Sequence, residues 1–132
     1  MNMAPFIYGR LNTQLHLPLM DQFTMENTIG PASVRVFKLS GPFVLKDIWN
    51  FQAAARAATE PIVIVDLTDV PYMDSASLGS LIGVHVSRQK VEKKYAIVGA
   101  TERVEKLFEV AGVANLLICY PTAADALKAL GE

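Results

Sequence analysis

The stretch Ile62-Val63-Ile64-Val65-Asp66-Leu67 limits what this chain can fold into more than any other. It is nearly all apolar and half β-branched, the pattern of a strand buried on both faces in a parallel sheet. Polar turn residues Thr68, Asp69 and Pro71 follow, then Asp74 and Ser75, and a helical pattern opens at once. Asp and Ser are preferred helix N-caps because their side-chain oxygens accept orphan backbone N–H groups. A serine hydroxyl is therefore expected at a helix N-terminus beyond the carboxyl end of a central strand, where open α/β sheets place their chemistry. Backbone donors and the helix dipole favour an added anion there. Ser75 is thus either a simple cap or a phosphorylation site.

Composition excludes several classes. At 132 residues the chain is one domain with room for a real core. A net charge of −1 with both signs interspersed leaves no footprint for direct nucleic-acid binding or an anionic membrane. Apolar residues make up 52 %, yet no apolar run nears the roughly 20 residues that span a bilayer. The N-terminus lacks a basic-then-apolar signal, so a cytoplasmic location without membrane insertion is expected. The single cysteine, Cys119, lies within Leu116-Leu117-Ile118-Cys119-Tyr120 with no metal-ligand companion, and reads as a buried strand residue.

Along the chain, Leu15, Leu17, Leu19, Phe23 and Met25 alternate, which predicts an extended segment between Thr13 and Thr28. Residues 1–20 read as an N-terminal extension, dispensable for folding but apolar enough to pack on this domain or on a second copy. Met20 and Met25 leave open a later biological start. Gly30-Pro31 is a turn signal leading into a strand over Ser33–Leu39, which Ser40-Gly41-Pro42 ends. Val44, Ile48, Phe51, Ala55 and Ala58 then mark one face of an amphipathic helix. Leu45 and Trp49 lie off that face, free to be covered by the N-terminal segment or to meet a partner.

The helix after Ser75 carries an apolar line of Leu78, Leu81, Ile82 and Val86, and a line of small residues, Ala76, Gly79, Ser80, Gly83 and Ser87. Each helical glycine costs about 1 kcal/mol relative to alanine, so close approach of another surface is expected there. Either the protein's own sheet or a docking partner would serve. His85 has no second ligand at metal spacing and reads as packing or surface. Tyr95–Val98 is a strand ended by Gly99, and Thr101 caps a helix bearing Val104, Leu107, Phe108 and Ala111. Gly112 stops that helix. Leu116–Tyr120 is a last strand, and Thr122 with Asp125 resembles a capping box for a final helix. The fold class is α/β: a single domain with a mostly parallel central sheet, an N-terminal antiparallel strand pair and about four helices.

This order, with an Asp-Ser motif after the central strand, resembles a STAS domain, and more narrowly the bacterial anti-sigma factor antagonists. The residues that carry the resemblance are Val65-Asp66-Leu67 leading to Tyr72-Met73-Asp74-Ser75, then Leu78-Gly79, Tyr95-Ala96-Ile97-Val98-Gly99 and the stretch from Val104 to Gly112. The domain is taken as residues 21–132. The family pattern after the central strand is Asp-Ser-Ser-Gly-Leu-Gly, with the first serine as phosphoacceptor, which carries over to Ser75. Ala76 replaces the second serine and Ser77 the glycine, adding bulk where a kinase would read the loop.

The resemblance implies a switch. The unphosphorylated antagonist binds an anti-sigma factor that is also a serine kinase, and a sigma factor is freed. Phosphorylation of Ser75 releases the antagonist, and a PPM-type phosphatase resets it. The implied partner surface comprises Gly41, Asp74, Ser75, Ala76, Ser77, Leu78, Gly79 and Gly83. In that scheme the chain is a substrate, with no catalytic residue, cofactor or metal of its own, and a homodimer stays open. Other readings are a non-switching STAS scaffold, as in a stressosome-like or lipid-transport complex, and the cytoplasmic domain of a transporter. A small enzyme or nucleotide binder is disfavoured, since no Walker lysine, GxGxxG or nucleophile arrangement occurs.

Overall fold

A computed structural model describes residues 22–30 and 33–131. The expected extension, the earlier part of the predicted extended segment and Pro31 itself lie outside the described residues. Strands β1 (Thr24–Gly30), β2 (Val34–Ser40), β3 (Ile62–Asp69), β4 (Lys94–Val98) and β5 (Cys119–Tyr120) form one sheet in the order β1-β2-β3-β4-β5. β1 and β2 are antiparallel and every later pair is parallel. Helices α1 (Ile48–Ala57), α2 (Ser75–Lys90), α3 (Glu102–Val110) and α4 (Ala123–Ala129) complete a mixed α/β fold.

β3 is the central strand, and its side chains feed two cores. Val63, Val65 and Leu67 pack with Phe37, Leu39, Phe51, Leu81 and Phe108 under α1, α2 and α3. Ile62 and Ile64 join Val34, Ala96, Val98 and Ala126 on the α4 side. Asp66, the one polar residue in the run, turns the strand end: its carboxylate accepts from Thr68 N at 2.9 Å and Thr68 Oγ1 at 2.6 Å. Burying each of Phe37, Phe43, Phe51 and Phe108 contributes roughly 1.5–3 kcal/mol. The edge-on Phe43–Phe51 pair, with centroids 5.4 Å apart, adds about 0.5–1.5 kcal/mol.

Several local expectations are corrected. The last strand shrinks from Leu116–Tyr120 to Cys119–Tyr120, because Leu116 N and Leu117 N both donate to Val113 O at 2.9 Å and wind a turn instead of a ladder. Cys119 is half-buried, and desolvation, helped by nearby Glu105, pushes its thiol up to about 11, away from thiolate chemistry. In α3 the buried line is Val104 and Phe108, leaving Leu107 half-buried and Ala111 exposed. Thr101 Oγ1 accepts from Val104 N as expected of a cap. Thr122 Oγ1 likewise accepts from Asp125 N, but donates to the Asp125 carboxylate, so the box is not reciprocal through the backbone.

The far end of α2 is tied down by a residue that no motif or periodicity singles out. Arg88 is buried, and its guanidinium donates to Lys94 O at 2.9 Å and Glu60 O at 2.7 Å. These bonds join the end of α2 to the segments that enter β3 and β4. They also satisfy a charge that would otherwise be costly to bury.

Candidate functional site: the entry to α2

Beyond β3 the chain turns tightly, Val70 N donating to Leu67 O at 3.0 Å, and Val70 is buried as an anchor. Phe43, beyond the end of β2, bridges Met73 and donates its N–H to Tyr72 O at 3.1 Å. The loop before Ser75 is thus held to the core by backbone bonds.

Asp74, not Ser75, is the N-cap of α2. Its Oδ1 accepts from Ser77 N at 2.9 Å, while Ser77 Oγ accepts from Asp74 N at 3.1 Å, closing a capping box. Asp74 Oδ2 accepts from Leu45 N at 2.9 Å, linking the entry of α1 to the entry of α2. Desolvation works to raise the Asp74 carboxyl, but the hydrogen bonds from Ser77 N, Leu45 N and the Ser77 side chain outweigh it. The net result lies below the ordinary 3.8, so Asp74 is an anion at neutral pH.

Ser75 is the first residue of α2 and is exposed. Among the described residues nothing hydrogen-bonds its hydroxyl, because Asp74 already does the capping. Ser77 and Ser80 are different: both are buried, and their hydroxyls donate to Asp74 O at 2.9 Å and Ser77 O at 2.7 Å. The bulk that Ser77 adds relative to glycine therefore points inward, where it completes the cap.

The buried line of α2 is Ser77, Leu78, Ser80, Leu81, Val84 and Arg88. This revises both stripes read from the sequence. Val86 turns outward at 41 % exposure, and Ser80 leaves the small-residue line for the interior. Gly79 and Gly83 do not face the sheet: a Cβ on either would find nothing within 4 Å. Successive residues advance 100° around a helix, so Ser75, Gly79, Gly83 and Val86 share its outward side, while Ile82 is half-buried against the core. No Asp, Glu, Lys or Arg occurs between Ser75 and Ser87. Next to this face, Leu45 and Trp49 stand 56 % and 69 % exposed.

Of the residues named from sequence, Asp74, Ser75, Ala76, Gly79 and Gly83 gather at this face. Ser77 and Leu78 are interior, and so is Gly41, which serves the backbone. At φ +83° it adopts a conformation that favours glycine, and a Cβ there would collide with Gln22 O. Two features escaped the sequence reading. One is Leu45, whose backbone rather than side chain reaches Asp74. The other is Tyr72, 40 % exposed beneath the Arg103 guanidinium at 5.1 Å from its ring centroid. Tyr72, Met73, Arg103, Lys106, Leu107 and Val110 line a shallow groove of about 280 Å³ beside the loop. Only a pairing across the sequence brings α3 there, and no local signal announces it.

Among the described residues no group of His, Cys, Asp and Glu is arranged to hold a metal. No helix among them is long and apolar enough to cross a membrane.

Comparison with known proteins agrees with this architecture. An anti-sigma-B factor antagonist of Listeria monocytogenes is 36 % identical over 59 residues, covering 44 % of this chain and 52 % of that protein. The chain thus spans about half the length of that relative. The crystal structure of an anti-sigma factor antagonist from Mycobacterium paratuberculosis superposes with a TM-score of 0.76 at 23 % identity, over 89 % of this chain and 100 % of that one. The Bacillus cell fate determinant SpoIIAA in its phosphorylated form gives 0.65 at 15 % identity, over 81 % and 99 %. At these identities the two structures speak for the fold. Residues 27–126 match the STAS domain family, and the chain belongs to it.

Proposed function

We propose that this protein is an anti-sigma factor antagonist working as a phosphorylation-controlled partner switch. Its unphosphorylated form binds an anti-sigma factor serine kinase in the cytoplasm and frees a sigma factor. The kinase phosphorylates Ser75, the complex parts, and a PPM-type phosphatase restores the binding form. The chain is a substrate in this cycle and supplies no catalytic group.

One observation carries the reading: an exposed, unpartnered serine hydroxyl stands at the start of a helix whose outward face is free of charge. A phosphoserine adds about −1.5 to −2 charges. Placed beside the Asp74 carboxylate and at the rim of a neutral contact, it meets like charge and desolvation together. Either effect at an interface costs several kcal/mol. Ser77 and Ser80 are sheltered from a kinase by the hydrogen bonds that bury them.

Intact-mass measurement after incubation with candidate anti-sigma kinases, ATP and Mg²⁺ tests this directly. One added phosphate is expected on the native chain and none on Ser75→Ala. Binding of the same partner by Ser75, Ser75→Ala and Ser75→Asp chains with equal affinity would leave a passive STAS scaffold as the better account.

A further inference from the structure

We infer that the extension preceding the domain folds back along α1 of its own chain. Leu15, Leu17 and Leu19 would occupy the groove between β1 and α1 and cover Trp49.

The point of entry supports this. Gln22 lies directly over Gly41, whose missing Cβ makes room for the Gln22 carbonyl. Phe23 stacks on Phe43 with centroids 5.1 Å apart and planes inclined by 18°. The chain therefore arrives beside α1, one layer from the loop that presents Ser75. A groove of about 580 Å³ opens where it arrives, lined by Phe23, Thr24, Met25, Asn50, Ala53 and Ala54. Trp49 precedes Ala53 by one turn on the same helix face, so its exposed side chain stands one turn from that groove.

The segment has matching chemistry. Arg10 is its only formally charged side chain before Asp21. In an extended run Leu15, Leu17 and Leu19 point to one side, as an occupant of an apolar groove requires. Reach is sufficient: Thr13 to Met20, extended, spans about 26 Å, against roughly 15 Å for a helix the length of α1. Because Leu45 at the head of α1 bonds Asp74, a segment lying there would flank the face assigned to the partner. If the partner-switch reading holds, the extension then competes with that partner.

Trp49 is the single tryptophan, so its fluorescence reports coverage without any partner or kinase. The expected result is a blue-shifted emission and several-fold weaker acrylamide quenching in the full chain than in a chain starting at Gln22. Leu15→Asp/Leu17→Asp in the full chain should expose the tryptophan equally, which keeps the test valid should the shortened chain not fold. Free-tryptophan-like quenching in the untouched full chain, or equal quenching with and without the extension, overturns the inference. Protection that disappears on dilution also overturns it and assigns the groove to a second copy. None of these readouts depends on Ser75, so the inference and the switch fail independently.

Discussion

Two helices on the same side of the sheet treat solvent in opposite ways. α3 shows water Glu102, Arg103, Glu105, Lys106 and Glu109, an ordinary solvated face. α2 shows water Ser75, Gly79, Gly83, Val86 and Ser87, with no formal charge until Arg88. Both are helices capped at their first turn that bury one side against the sheet, so folding alone does not explain the contrast. Helical glycines on an outward face sacrifice stability without gaining packing, because a Cβ at either would meet open space. A surface that gives up both charge and helix propensity is shaped for something other than water.

The sharpest way to break this comparison is to place bulk on each helix. Gly83→Leu should leave the melting transition in place, since there is no neighbour to clash with. It should weaken the partner complex at least a hundredfold, about 2.7 kcal/mol. Glu105→Ala and Glu109→Ala on α3 should alter that affinity little. Calorimetric titration of all three variants decides, and an unfolded Gly83→Leu chain would instead mean that α2 is packed against its own domain.

A charge at the first turn tests the same face more gently. Ser75→Asp should lower partner affinity at least tenfold, about 1.4 kcal/mol, short of a full phosphate because one charge and two oxygens replace it. Ser75→Ala should hold the partner and melt within about 0.5 kcal/mol of the native chain, since Asp74 and not Ser75 is the cap.

Asp74→Ala should cost about 1 kcal/mol or more at pH 7, because two backbone donors, Ser77 N and Leu45 N, lose their acceptor. Its pH dependence has a definite sign. The folded carboxyl titrates below the ordinary 3.8, so its contribution is fully present above about pH 4 and is lost as pH falls through the folded value. Denaturant melts should show the native and Asp74→Ala curves converging at acid pH.

The smallest effect has the opposite direction. Gly79→Ala and Gly83→Ala should each raise stability by about 0.5–1 kcal/mol, visible as a higher melting temperature. Alanine in place of a glycine on α3's solvated side of the comparison has no counterpart, because α3 contains no glycine.

Much of this was legible in the chain alone. Ile62–Leu67 announced a central strand because only a doubly covered strand tolerates such a run. Thr101 and Thr122 announced helix starts because a cap acts on the backbone three residues away. The site was legible as a location, after β3 and before α2, but its internal roles were not. Adjacent Asp74 and Ser75 are both good caps, and choosing between them depends on the backbone angle at each, with Asp74 extended at φ −104° and ψ 179°.

The sequence by itself determined the element order, the central strand and the starts of α3 and α4, because periodicity and capping are local properties of a few neighbouring residues. It began the first helix too early, at Val44, which is extended and followed by a 3-10 turn over Leu45–Asp47. The tertiary structure alone decided which side of α2 looks outward. A helix rich in Gly, Ala and Ser has little contrast between its faces, so packing of Leu78, Leu81 and Val84 against the sheet fixes its rotation. It also decided that Leu45 N binds Asp74 and that Arg103 covers Tyr72. Those pairs are remote in the chain, and only closure of the fold brings them within bonding distance.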